Sequence, residues 1–139
     1  MRTITESQFN QLTLADNAVT TMQISPDGMK ITIAVDGGAF STQDGKHQHF
    51  NVFLLQATSK SQIESRIYDH INKQWLRNET HDTLETICEI TSDNDIILSG
   101  FGRDTGMWLT FIVPKPITVT ATLEGLALPQ QGLYNPSAH

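Results

Sequence analysis

The chain has 139 residues, a formal net charge of −6 and a sequence pI near 5.2. That length suits one domain with its own core, and the acidic balance excludes the basic footprint that nucleic acid or an anionic membrane would need. No apolar run approaches the roughly 18–20 residues that span a bilayer. Met1-Arg2-Thr3-Ile4-Thr5-Glu6 lacks the apolar core of a signal peptide, and the single cysteine, Cys88, suits a reducing compartment. A cytoplasmic location is therefore expected. Asn78-Glu79-Thr80 has the N-glycosylation form, but the pattern has no role without secretion.

Taken in chain order, the first element is a short helix over 5–12, where Thr5 and Gln8 have capping-box spacing. Next comes a hairpin. Met22 and Ile24 alternate with Thr21 and Gln23, Ser25-Pro26-Asp27-Gly28 makes the turn, and Ile31, Ile33 and Val35 alternate with Thr32 and Ala34. The spacing predicts strands over 19–25 and 29–36. Residues 36–47 read as a loop. The apolar run Phe50, Val52, Phe53, Leu54, Leu55 predicts a strand covered on both faces.

Ser61-Gln62-Ile63-Glu64 has capping-box form, and Ile63, Ile67, Ile71 and Trp75 recur every fourth residue. That stripe predicts the main helix over 62–76, with a strand over 63–68 as the alternative. Beyond Asn78 the period returns to two. Leu84, Thr86, Cys88 and Ile90 fall on one face, with Glu85, Ile87 and Glu89 on the other. Asp93-Asn94-Asp95 is a turn, Ile96 opens a strand, and Gly100-Phe101-Gly102 through Gly106 suggests a bulge or hairpin tip. Met107, Leu109, Phe111 and Val113 alternate up to Pro114-Lys115-Pro116. The last strand points Ile117, Val119, Ala121 and Leu123 inward, and Thr118, Thr120, Thr122 and Glu124 outward. Residues 126–139 read as a loose tail of a single domain spanning 1–139. The expected fold is α+β: about seven strands in a meandering antiparallel sheet, twisted or folded on itself, with one main helix on a face.

Reactive centres are not evident. His47 and His49 share a strand face and could join Asp44 at a metal, but Zn²⁺ needs three or four convergent ligands, so they read as solvated residues. His81-Asp82 lacks a nucleophile-elbow serine, and Cys88 on an inward face would be an inert thiol. The Gly100–Gly106 stretch lacks the Lys-Ser/Thr of a phosphate loop, and Asp93-Asn94-Asp95 lacks the Gly and Glu of an EF-hand. No cofactor, metal or enzymatic activity is expected.

Charge is the informative asymmetry. Asp82, Glu85, Glu89, Asp93, Asp95 and Asp104 face a single base, Arg103, so this stretch holds −5 of the −6. One reading is protection of an edge strand against sheet-to-sheet pairing. The other is a docking ridge for a basic protein, formed by Glu85, Glu89, Asp93, Asp95 and Asp104 around an apolar centre, Ile87, with Trp108 nearby.

Two stretches, Ile24-Ser-Pro-Asp-Gly-Met-Lys-Ile-Thr-Ile33 and Leu98-Ser-Gly-Phe-Gly-Arg-Asp-Thr-Gly-Met-Trp-Leu109, resemble small bacterial immunity proteins of polymorphic or contact-dependent toxin systems. The resemblance implies an acidic, cytoplasmic, non-enzymatic inhibitor that covers the active site of a basic toxin domain; no functional residue carries over from it. The leading expectation is a protein-binding domain of this kind. The alternatives are a small-molecule carrier, with a cavity between sheet and helix lined by Phe50, Phe53, Trp75 and Phe111, and a structural subunit that adds neighbours through its edge strands.

Overall fold

The computed structural model describes residues 1–42 and 44–126. Eleven strands follow one another: β1 (Arg2–Ile4), β2 (Leu12–Thr13), β3 (Asn17–Ile24), β4 (Lys30–Ser41), β5 (His47–Ser59), β6 (Glu64–Asp69), β7 (Gln74–Arg77), β8 (Leu84–Ser92), β9 (Asp95–Gly102), β10 (Trp108–Pro114) and β11 (Ile117–Glu124). A six-residue 3-10 helix, Glu6–Gln11, lies between β1 and β2. The order across the sheet is β1-β11-β5-β4-β3-β8-β9-β10-β6-β7, with β2 beside β4, and every pairing is antiparallel.

β3 joins two halves. Its Val19–Ile24 stretch pairs with β4, and Asn17 and Ala18 pair with β8; a register shift between Val19 and Thr21 marks the bend. The inner faces of the two halves share one core, with Ile31, Phe53, Leu55 and Leu123 from the first half and Leu98, Leu109 and Phe111 from the second. Where the chain crosses between halves, Ser59 Oγ donates to the Pro114 carbonyl at 2.6 Å. Phe9 of the 3-10 helix meets Phe53 edge-on, with centroids 6.3 Å apart. The Gln8 side chain accepts the Thr5 N–H at 2.9 Å, as the capping-box spacing predicts.

The α+β expectation is overturned, because among the described residues no helix is longer than the six-residue 3-10 turn. Residues 62–76 form the β6–β7 hairpin. Period four misleads here because Ile63 and Ile67 are an even number apart on one extended segment, which also sets them on one face. Ile71 belongs to the intervening turn and is 80% exposed, and Trp75 belongs to the next strand. Asp69 Oδ1 organises that turn by accepting the amides of Ile71 and Asn72 at 3.0 and 3.2 Å. The would-be capping box fails because the Ser61 N–H that Glu64 would accept is donated to Ser59 Oγ at 3.0 Å.

The first hairpin and the last strand form as alternation predicts, but β4 continues to Ser41 through much of the expected loop over 36–47, Ile24 is exposed, and Thr122 is buried rather than outward. β5 departs from expectation. Phe53, Leu55 and Ala57 are buried, but Gln56 and Thr58 are exposed, so only one of its faces is fully covered. Thr32, Gln56 and Thr120 stand in register on the other face, which fits the chain's threonine-rich composition. Of the expected tail, Leu126 is half-buried against the core, and 127–139 lie outside the described residues.

β8 also departs from strict alternation. Its buried residues are Leu84, Ile87 and Ile90, spaced by three rather than two, because bulges fall between Leu84 and Thr86 and between Ile87 and Glu89. Each bulge inserts one unpaired residue and flips the facing of all that follow. Ile87 is therefore a core residue and not the apolar centre of an outer ridge. Cys88 is half-buried rather than inward. The first bulge presses β8 onto Gly100, where a Cβ would collide with the Thr86 carbonyl oxygen.

Candidate functional site

The outer face of the second half can be read row by row from its register. Trp108 stands opposite Phe101, and Phe101 opposite Thr86. Leu109 pairs with Ile67, so the next step sets Tyr68 beside Trp108, and Tyr68 in turn pairs with Trp75. Four aromatics from β9, β10, β6 and β7 thus form one row across the strands. At roughly 4.8 Å per strand the row is about 14 Å long. Phe101 and Trp108 meet edge to face at 5.3 Å, and Tyr68 and Trp75 do so at 5.2 Å.

The chain has ten aromatics. Phe9, Phe40, Phe50, Phe53 and Phe111 are in the core, and Tyr134 lies outside the described residues. All the others are on this row. Phe101 and Trp75 keep 43% and 47% of their surface exposed, while Trp108 and Tyr68 are half-buried. Cross-strand aromatic pairs stabilise a sheet. Leaving rings this exposed on a single row is more than sheet stability needs, and rigid aromatics of this kind serve as interface anchors.

A polar row runs beside the aromatic one: Glu89, Ser99, Thr110, Arg66 and Arg77. The Ser99 and Thr110 hydroxyls are 3.1 Å apart, and Arg66 Nη2 reaches Glu64 at 2.8 Å. The face is therefore acidic on its β8 side and basic on its β6–β7 side. An open cleft of about 700 Å³ adjoins the basic side, lined by Arg66, Arg77, Asn78 and His81 among others.

The structure separates the acids that the sequence groups together. Glu85 is exposed in the first β8 bulge, and Glu89 is exposed on the outer face. Asp93 is exposed in the β8–β9 turn, where its carbonyl accepts Lys115 Nζ at 2.6 Å. Asp95 is half-buried opposite Pro114. Asp104 is exposed in the β9–β10 turn, at the other end of β9 from Asp93 and about 25 Å away for eight extended residues. The turn acids therefore do not form one cluster. Among the described residues, none of Glu85, Glu89, Asp93, Asp95 and Asp104 forms a salt bridge. Trp108 keeps its expected place on the outward set.

Asp82 has a different role. It is 2% exposed, and its carboxylate accepts the Thr105 hydroxyl at 2.6 Å and the amides of Thr83, Asp104 and Thr105 at 2.9, 2.9 and 3.0 Å. Burial pushes this carboxyl up, but the Thr105 hydroxyl and the three amides outweigh it and hold the group below its ordinary value. Asp82 thus pins the β9–β10 turn to the start of β8. Neighbouring His81 has left-handed backbone, with φ of 54°.

The other candidates are accounted for by local contacts. His47 Nδ1 is 3.0 Å from Ser41 Oγ, and Asp44 is engaged with Thr42 and Lys46. Among the described residues, no group of three or more His, Cys, Asp or Glu is placed to hold a metal. Cys88 Sγ lies 2.6 Å from Asp16 Oδ1, and burial, then this carboxylate, push the thiol up to about 12. The residues proposed to line a carrier cavity are split: Phe50, Phe53 and Phe111 fill the core, while Trp75 is on the outer face. Among the described residues no helix is long and apolar enough to cross a membrane.

Sequence reasoning missed Phe101, Tyr68, Arg66 and Arg77 as site residues, and assigned Trp75 to a cavity instead of this face. A signal was present, since Phe101 and Trp108 flank the Arg103–Gly106 tip and Tyr68 and Trp75 flank the Asp69–Lys73 turn at positions that pair in a hairpin. No family model matches this chain, and no curated protein or solved structure is significantly similar to it.

Proposed function

We propose that this chain is a non-catalytic protein-binding domain of the immunity-inhibitor kind, and that it meets a basic protein partner through the outer face of β8, β9, β10, β6 and β7. The observation that carries the reading is the exposed aromatic row on one sheet face, with Glu89 on that same face and Glu85 in the adjoining β8 bulge, two carboxylates that form no salt bridge among the described residues. Unpaired Glu85, Glu89 and Asp93 speed the encounter with a basic surface, and the rings of Phe101, Trp108 and Trp75 slow its release. The partner should present Lys or Arg toward β8 and an apolar patch over β9–β10.

The test is to capture the partner from native lysate, purify it, and follow backbone hydrogen exchange of this chain with and without it. New protection confined to β8–β10 and β6 supports the reading. Protection confined to the threonine-rich face of β4, β5 and β11 contradicts it.

A further inference from the structure

We infer that β7 is a self-pairing edge, through which two copies of this chain associate antiparallel about a two-fold axis at Leu76. Among the described residues β7 ends the strand order, and all four of its residues are exposed. Edges are usually guarded by charge or proline. Here Trp75 and Leu76 keep 47% and 44% of their surface exposed, and Ile71 in the adjoining turn keeps more.

Hydrogen-bond parity fixes which backbone groups are free. The Asn78 N–H donates to the Ser65 carbonyl at 3.2 Å, and the register continues through Arg66 with Arg77, Ile67 with Leu76 and Tyr68 with Trp75. Hydrogen-bonded and non-hydrogen-bonded pairs alternate along an antiparallel ladder. Leu76 therefore turns its N–H and C=O toward β6, and Trp75 and Arg77 turn theirs to the open edge.

Side chains then select the register. An axis at Leu76 sets Trp75 against the partner's Arg77, with both residues supplying free edge groups, so four inter-copy backbone hydrogen bonds form. The Arg77 guanidinium gains an aromatic face, which offsets its like-charged opposition to Arg66 on the other side. The two Leu76 side chains meet at a non-hydrogen-bonded position, where strands approach most closely. Beyond the strand, in the flanking turns, Lys73 and the partner's Glu79 fall at the same end of the seam, where their long side chains can meet. An axis at Trp75 would instead bring Lys73 toward the partner's Arg77 twice, so charge disfavours it. In the favoured register the outer faces of the two copies join, and the aromatic row of each leads into the other.

Sedimentation of the purified full chain, with no other protein present, tests this directly. A reversible monomer–dimer equilibrium is expected, weakened roughly tenfold or more by Lys73→Glu as two exposed attractions become repulsions, and restored by Lys73→Glu with Glu79→Lys. Arg77→Pro removes a free-edge N–H without touching the β6 ladder, so it should abolish the dimer with the circular dichroism unchanged. In a Cys88→Ser background, Leu76→Cys should form a disulfide dimer under mild oxidation. A monomer at every concentration, or a dimer indifferent to the charge swap and to Arg77→Pro, would overturn the inference. So would β7 amides that gain protection only when a foreign partner is added, since they would then pair with that partner instead.

Discussion

Trp108 lies edge-on against Phe101 across the β9–β10 hairpin, ring centroids 5.3 Å apart, on the water-facing side of the sheet. The pair serves two ends. It steadies the hairpin, and it sets two large rings at the centre of a face whose neighbouring acids are unpaired. Phe101→Ala should cost about 1 kcal/mol of stability, the scale of a cross-strand aromatic pair. Trp108→Ala should weaken partner binding by on the order of 2 kcal/mol, through faster release rather than slower encounter. Denaturant melts and surface plasmon resonance separate the two effects.

Asp82 is expected to matter for folding and not for docking. Asp82→Ala should cost on the order of 3 kcal/mol, because it strips the acceptor from three amides and a hydroxyl in a buried turn. Its carboxyl is held below the ordinary value, so its stabilisation is complete above the unfolded value near 4. That stabilisation drains away as pH falls through the lower folded value. Urea midpoints measured from pH 6 down to pH 2 should fall less steeply in Asp82→Asn than in the wild type.

Gly100 is fixed by its neighbour's backbone. A Cβ there would strike the Thr86 carbonyl, and the bulged β8 cannot retreat without losing its bonds to β9. Gly100→Ala should cost about 2–4 kcal/mol. Gly45→Ala, whose Cβ would meet nothing within 4 Å, is the control for glycine chemistry, although its φ of 81° brings a smaller penalty of about 1 kcal/mol.

The Cys88 thiol should react slowly. With burial and Asp16 raising it to about 12, almost no thiolate is present at pH 8. Reaction with a disulfide reagent in the native protein should be at least about a hundredfold slower than in urea. Asp16→Asn should recover part of that rate, as the smaller cause is removed.

What could be read in the sequence followed the simplest periodicity. The hairpin through Ser25-Pro26-Asp27-Gly28 was legible because Thr21–Ile24 and Lys30–Val35 alternate around a turn of fixed chemistry. The last strand was legible for the same reason. The β6–β7 hairpin was not, because Ile63, Ile67, Ile71 and Trp75 satisfy the helical spacing equally well, and only the turn made by Asp69 decides between the two. Ile87 was misplaced by bulges, which depend on what β9 presents opposite, and no local pattern in β8 records that. Of the site, Glu89 and Trp108 were legible as outward residues. Their gathering with Phe101, Tyr68, Trp75 and Arg66 depends on β6 pairing with β10, a contact between segments more than forty residues apart in the chain.

The most direct test of the docking face is the association rate with the purified basic partner, measured for the wild type and for Glu85→Lys, Glu89→Lys, Asp93→Lys combined, across a range of salt. Wild-type association should slow as salt rises, and the triple variant, folded and equally stable, should associate at least roughly tenfold more slowly at low salt with its salt dependence flattened or inverted. Equal rates for the two proteins at low salt would contradict the account.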